Sequence, residues 1–449
     1  DKTAVDFIKQ GFRDLGFCDF RESLSQEYRT WEYFVLYRET AFAFVSRIME
    51  QEGIYYYFEH EDGKHTLVLI DDAVSHEPFE GYDKVEFRPF DAVLSDSELV
   101  HEFSVTREVQ PGAFAQTDFD FAKPTKDLAS RSAANREHTL AEFEQFDFPG
   151  EYAEANEGDR YSSVRLDEHQ CRYEVSTGYG DCRGIAVGRT FELEEHPIEA
   201  INQKYLVTSA VITAEGDPYG STGGSAGEES FSVSFTSISA EQQFRPARVT
   251  PLPFVRGPQT AIVVGPSGEE LHTDEHGRVK VMFHWDRESK ADETSSCWIR
   301  ASQEFAGKGW GNMQIPRVGQ EVIVSFLEGD PDRPLITGRV YNGDNKPPYA
   351  PKTFGTVTTW KTNSSKGGGG FNELRFEDKA GEEQVFIHAQ NNYDLRVLND
   401  RFETVMNNQH LVVETDLFEH VKNERHTKVD ADAFETFGAD RHVAVSGQQ

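Results

Sequence analysis

Four groups of residues carry side chains that could do chemistry. Glu328, Asp330 and Asp332 place three carboxylates in the run EGDPDRP, and two carboxyls held about 5 to 9.5 Å apart across a sugar can hydrolyse a glycosidic bond. Gly329, Pro331 and Pro334 interleave them, and that composition reads as a turn. His272, Asp274, His276 and His284 offer metal-ligating atoms, but their spacing fits no zinc pattern and Asp274-Glu275-His276-Gly277 reads as a hairpin corner. His410, His426 and His442 recur every sixteen residues. A three-chain assembly would set three imidazoles at one level, able to hold a metal or an anion, although solvent-facing or packed histidines are the plainer reading. The stretch NSSKGGGG, residues 363–370, has the glycines of a phosphate cradle in the wrong order. A P-loop puts Lys and then Ser or Thr after the glycines at a helix start, where Phe371 and Asn372 stand here. Local spacing supports no Ser-His-Asp or Cys-His arrangement, so no catalytic, cofactor-binding or metal-binding residue is assigned.

The elements around these groups are mixed. Thr40 is placed to cap a helix whose Phe44, Val45, Ile48 and Met49 share one face, and Gly53 to end it. Tyr55-Tyr56-Tyr57-Phe58 reads as a buried strand, followed by strands at Thr66–Ile70, Val85–Phe90, Phe103–Val109 and Phe114–Phe121. A further helix is expected from about Asp159 to Glu174, carrying Tyr161, Val164 and Cys171, and GSTGGSAG at 220–227 reads as a flexible loop. Pro246, Pro251, Pro253 and Pro258 mark a stiff linker. Beyond it, Ala261–Val264, Val279–Trp285, Cys297–Ala301, Glu321–Leu327 and Leu335–Val340 are five short strands, which suggest a small barrel of the OB kind.

Composition narrows the function classes. The 449 residues allow about two to four domains. They carry 45 basic against 78 acidic side chains, a net charge of −33, which argues against nucleic acid as the main partner. The OB-like stretch itself is near balance, with 13 Lys and Arg against 14 Asp and Glu over residues 245–346, so it forms no basic funnel for a single strand. An apolar share of 37% is lean, yet 34 Phe and 16 Tyr supply more aromatic surface than a disordered acidic chain would hold. That combination points to an elongated or oligomeric object. No window reaches the roughly 18 uninterrupted apolar residues of a membrane span, and no charged-then-apolar leader opens the sequence, so neither a signal peptide nor a stable membrane anchor is expected. The four cysteines, Cys18, Cys171, Cys182 and Cys297, read as buried reduced thiols. A start at Asp1 is compatible with a piece of a longer product.

The strongest signal is periodic. Val397, Val405, Val413, Val421, Val429, Phe437 and Val445 recur every eight residues without a slip. On an α-helix eight residues overshoot two turns by about 80 degrees, so these side chains would make no stripe. A strand alternates with period two, and eight is even, so in a β repeat every valine can face the same way. Turn formers stand two and three residues after each valine, as in Asn399-Asp400, Asn407-Asn408 and Thr415-Asp416. Five residues after it the chain alternates Phe402, His410, Phe418, His426, Phe434 and His442. One thin octad per level encloses no core by itself. Three chains wound together would close a triangular prism and remove its open edges, which implies a homotrimer, with a single-chain β-helix as the alternative.

At this point four long segments carry a resemblance: Tyr37–Asp72, Asp274–Arg287 (DEHGRVKVMFHWDR), Gly309–Asn342 (GWGNMQIPRVGQEVIVSFLEGDPDRPLITGRVYN) and Ser364–Gln390. With the octads, they resemble the valine-glycine repeat (VgrG) spike proteins of bacterial type VI secretion, which are similar to the hub and spike of contractile phage tails. The resemblance implies a mainly β fold with some α: a β-barrel hub, an OB-fold neck and the start of an intertwined triple-stranded β-helix. It divides the chain into a hub-like α/β region at 1–244, N-terminally incomplete, a neck at 245–349, a connector at 350–394 and an octad needle at 395–449. The implied partners are two further copies, a hexameric tube protein, a PAAR-type tip protein, baseplate components and effectors. The implied route is assembly in the cytoplasm and release through the type VI apparatus without a signal peptide. The implied role is puncturing, with no enzyme activity and no cofactor. A phage-like tail spike that hydrolyses envelope polymer is the alternative, although the about 50 residues between neck and repeat are too few for the lysozyme domain of some phage relatives. One departure concerns the corners: the family name expects Gly two residues after each valine, and only Gly447 meets it.

Overall fold

The computed structural model describes residues 2–89, 97–216 and 230–447. The GSTGGSAG loop and Phe90 lie outside the described residues. The chain divides into two compact units, residues 1–357 with 365–369, and residues 358–364 with 370–449.

In the first unit, local signals place the N-terminal helices. Helix α1 (Ala4–Asp14) opens on a capping box between Thr3 and Asp6. Helix α2 (Ala41–Glu52) opens where the Thr40 hydroxyl accepts the Ala43 amide at 3.1 Å. It closes at Gly53, whose φ of +75° suits a residue without a Cβ. The inner faces of both helices, Ala4, Val5 and Ile8 with Val45, Ile48 and Met49, share one core with Ile54 and Leu69. Tyr55–Glu61 and Lys64–Ile70 form an antiparallel hairpin, and Phe20–Ser23 joins its second strand in parallel.

A six-stranded sheet follows, in the spatial order Lys84–Glu86, Thr190–Glu194, Lys204–Glu215, Ser230–Ser239, Glu174–Gly180 and Val100–Arg107. Its core is Val85, Val100, Phe191, Tyr205, Val207, Val233 and Phe235. Two expected strands are shorter than predicted. The first is a regular strand over Lys84–Glu86, continued by an isolated bridge from Phe87 to Val100, and the one opening at Phe114 pairs over Ala113–Gln116. Helix α3 (Ala155–Gln170) starts four residues before the predicted Asp159 and ends before Glu174, which opens a strand paired with Arg107. No side chain caps the helix start at Glu154, and its buried face mixes Tyr161 and Val164 with Ser162, Arg165 and Gln170. Both ends therefore lack the usual written signals.

The OB-like barrel is built on a four-stranded antiparallel sheet in the order Lys280–Phe283, Gln259–Val264, Glu321–Phe326 and Pro334–Val340. The predicted strand at Cys297–Ala301 is instead an extended segment held by two isolated bridges, Ile299 to Val279 and Ala301 to Ile336. Ala261, Val263, Val279, Val281, Phe283, Ile299, Val322, Val324 and Ile336 close the barrel core. Cys171 and Cys182 are buried and Cys297 half-buried as free thiols. Cys18 departs from the expectation: it is exposed, because it sits in the loop leaving α1 rather than in a core.

The second unit holds a three-stranded sheet, Val357–Lys361, Glu373–Glu377 and Gln384–His388, and among the described residues no strand follows it. The chain from 391 to 447 runs extended.

Candidate functional site

The extended run bends at 398–399, 406–407, 414–415, 422–423, 430–431, 438–439 and 446–447. Each bend falls on the first and second residues after an octad valine or Phe437, one residue earlier than the turn formers suggested. Asn, Thr or Ala at the second position occupies the later half of the first six bends, and Gly447 that of the last. Among the described residues, no backbone hydrogen bond joins one octad to another, so the amides and carbonyls of this run still require partners.

Side-chain exposure splits by strand face. Val397, Val405, Val413, Val421, Val429, Phe437 and Val445 are 45–54% exposed, whereas Phe402, Phe418 and Phe434, on the opposite face, are 90–91% exposed. Leu411, Leu417 and Val443 share the valine face, each an even number of residues before a valine. The repeat thus has an apolar face that the single chain leaves 45–72% exposed.

The same face carries charges that the valine period does not announce. Glu419 meets Arg425 at 3.3 Å and Glu435 meets Arg441 at 3.1 Å. Sixteen residues before Glu419, Glu403 accepts from Gln409 at 3.2 Å and from Arg401 at 2.6 Å. The written signal was present beside the Phe and His alternation: Glu six residues after alternate valines, then Arg or Gln four residues after the next.

The other chemical groups resolve into structure. Asp274 accepts from the His276 and Arg278 amides at 3.1 and 2.8 Å and from Arg278 Nε at 2.7 Å, forming the predicted corner. The His272 ring packs tilted against Trp298, with centroids 4.8 Å apart, and His284 Nε2 lies 3.1 Å from the Thr260 hydroxyl. His410 and His442 are exposed, and His426 pairs with Glu424 at 2.9 Å. Among the described residues no cluster of three or more His, Cys, Asp or Glu could hold a metal. In the glycine run, the Lys366 amide donates to Glu270 at 2.8 Å and its ammonium to the Gly268 carbonyl, so the lysine serves a loop contact.

The EGDPDRP turn lies at a joint between the N-terminal elements and the barrel, beside a cavity of about 730 Å³. Asp332 accepts the Val35 amide at 2.6 Å and lies 3.7 Å from Arg47. Arg47, buried on α2, also donates to Glu39 and to the Val35 carbonyl. Arg333 reaches Asp118, which in turn accepts the Glu151 amide at 2.6 Å. Burial, with the Asp330 charge next to it, pushes the Asp332 carboxyl up to about 8, and burial and the same neighbour raise Glu151 to about 7. These carboxyls are tied into a turn and a buried ion-pair network. Sequence reasoning saw the turn but not its partners, which lie in distant parts of the chain.

Three family descriptions match the chain: phage tail baseplate hub over residues 1–218, type VI secretion system/phage-baseplate injector OB domain over 260–341, and bacteriophage T4 gp5 C-terminal trimerisation domain over 358–449. The type VI secretion system spike protein VgrG1b of Pseudomonas aeruginosa is 50% identical over 402 residues, covering 89% of this chain and 54% of that protein. A Vibrio cholerae protein described as actin cross-linking toxin VgrG1 is 36% identical over 410 residues, covering 90% of this chain and 37% of its own length. The chain thus spans about half the length, or less, of these curated relatives. Among solved structures, an E. coli component of the type VI secretion system, described as similar to the T4 tail proteins gp27 and gp5, superposes with a TM-score of 0.50 at 19% identity. That match covers 76% of this chain and 72% of the other, and it is a likeness of fold.

Proposed function

Because this chain belongs to the VgrG family of type VI secretion spike proteins, we propose that it is the tip of a contractile tail, acting as a homotrimer that breaches a target envelope. Residues 1–244 form the hub, 245–349 the neck, 350–394 the connector and 395–449 the needle, with Val397, Val405, Val413, Val421, Val429, Phe437 and Val445 facing its axis. The observation that carries this reading is the octad run, which keeps a half-covered apolar face and open backbone groups in one copy. Two further copies supply both the missing core and the missing hydrogen bonds.

The mechanism is mechanical. A closed three-chain β prism spreads axial load over many hydrogen-bonded ladders and offers no free edge from which to peel. The hub seats on a hexameric tube among baseplate components, a PAAR-type protein caps the tip, and effectors ride on the assembly. Neither nucleic acid nor a stable membrane anchor enters this reading. The chain performs no catalysis and needs no cofactor. It assembles in the cytoplasm and leaves through the type VI apparatus without a signal peptide. Light scattering across a concentration series tests the core of the proposal. A constant mass near three times 50.9 kDa is expected, and a persistent 50.9 kDa species overturns the trimeric spike. Co-sedimentation with tube-protein rings tests the docking step, and failure of a trimer to bind them overturns that step alone.

A further inference from the structure

A needle built only from octad valines has a register problem. Sliding one chain by eight residues brings each octad valine back beside a valine everywhere except at Phe437, so the apolar face discriminates only weakly between the native alignment and a slipped one. The structure holds a second pattern with twice that period. Glu419 stands two residues before Val421 and Arg425 four residues before Val429, which by strand alternation puts both on the valine face. They meet at 3.3 Å, and Glu435 and Arg441 repeat the contact sixteen residues later at 3.1 Å. Glu403 with Arg401 and Gln409 holds the corresponding place at the start of the repeat.

We infer that these pairs are inward ionic rungs which lock the three chains of the needle in register. The inference rests on the trimeric reading above: with three copies, each rung gathers three carboxylates and three guanidiniums about the axis. A slip of eight residues sets Glu419 level with Leu411 or Thr427, and Arg425 level with Leu417 or Ala433. Every inward charge then keeps only the partner in its own chain and loses those of the other two copies while still enclosed, which is unfavourable. A single buried polar position is a known way to fix the alignment of otherwise degenerate apolar repeats. The occupant of the valine face is accordingly a second and third copy of this chain in one alignment, because the face is complementary in charge to itself.

The test is a charge cycle in the full chain, read by light-scattering mass, thermal midpoint and inter-chain spin-label distance. The label is attached on the opposite face, at Lys422→Cys, in a Cys18→Ser background. The parent is expected to give the trimer mass and one narrow distance. R425Q/R441Q and E419Q/E435Q each leave one sign of charge uncompensated and are expected to lower the midpoint by about 10 °C or more, or to dissociate the trimer. The quadruple variant E419Q/R425Q/E435Q/R441Q is expected to recover the trimer mass but to give a broadened distance, because only the Glu403 contacts then penalise the slip. K428Q, on the opposite face, is expected to change neither. If the one-sided variants behave like K428Q, or the quadruple variant keeps the narrow distance, the rungs are overturned while the trimer stands. A monomeric parent overturns the trimeric reading and the rungs with it.

Discussion

Arg47 and Asp332 meet at 3.7 Å across the joint between α2 and the closing turn of the OB-like barrel, with Arg47 held at the same time by both oxygens of Glu39. One guanidinium therefore serves the Glu39 carboxylate and the Asp332 carboxyl, both largely enclosed. Arg47→Ala leaves Glu39 without its cation. Removal of one partner from a buried ion pair costs about 3 to 5 kcal/mol. Urea denaturation followed by tryptophan fluorescence should show that loss, with Trp285 and Trp298 reporting on the barrel side. Arg47→Lys should recover only part of it, since an ammonium cannot repeat the forked contact.

The same joint should respond to pH. Asp332 holds its proton up to about 8 in the folded chain, against an ordinary value of 3.8. Its contribution to stability is therefore full at pH values below the ordinary one and is lost as pH climbs toward about 8. Asp330 and Glu151 add like charge around it, while Arg47 opposes the shift. Asp332→Asn keeps an oxygen for the Val35 amide and removes the titration. The variant should gain on the parent between pH 5 and pH 8.5, by about 5 °C or more in thermal midpoint. A constant gap between the two across that range would contradict the displaced titration.

Gly53 is a second point where two elements leave no latitude. Its φ is +75°, and a Cβ there would lie 2.7 Å from Val164 Cγ1 on α3 and 3.2 Å from the Arg245 side chain. Gly53→Ala thus combines left-handed backbone strain with a steric clash, and a loss of about 2 kcal/mol or more is expected in the same urea experiment. Gly63, also at positive φ but with open space around it, is the matched control, and its alanine variant should lose about 1 kcal/mol.

How much of this was written in the sequence depends on how local each cause is. Thr40 and Gly53 are local signals, and both limits of α2 follow from them. The ends of α3 carry no such mark: Glu174 leaves the helical pattern because its backbone pairs with Arg107, a decision made by the sheet. Cys297–Ala301 alternates like a strand, yet only two bridges form along it. The octads were legible because their period is strict, and the Glu and Arg overlay was legible in the same lines once strand parity was applied. Arg47 with Asp332 was not, since no local pattern links an α2 arginine to a proline-bounded turn in another domain.

The cysteines give a direct probe of burial. Cys18 is exposed, whereas burial pushes the Cys182 and Cys297 thiols up to about 12 and raises Cys171 as well. Thiolate is the reactive form, so the native chain should titrate close to one thiol per copy with a disulfide reagent and four after unfolding. Cys18→Ser should remove the native reaction almost completely. Rapid reaction of a second thiol in the native state would contradict the burial of the other three.

The needle reading makes its own demand on two valines. Val413 and Val421 are 45% and 48% exposed in one chain, so replacing them there would cost about 0.5 kcal/mol or less if the chain worked alone. In a three-chain prism the double variant V413D/V421D would set carboxylates from all three copies beside the axis, where burial of unpaired like charge is prohibitive. Sedimentation should then fall from three times 50.9 kDa toward 50.9 kDa. The thermal transition of the first unit should stay within about 2 °C, because neither residue belongs to it. Phe418→Asp, on the opposite face, should leave the mass unchanged, since that side chain is already 90% exposed. A V413D/V421D chain that keeps the trimer mass would remove the valine face from the axis, and with it the inward placement of Glu419 and Arg425, which share that face by strand parity.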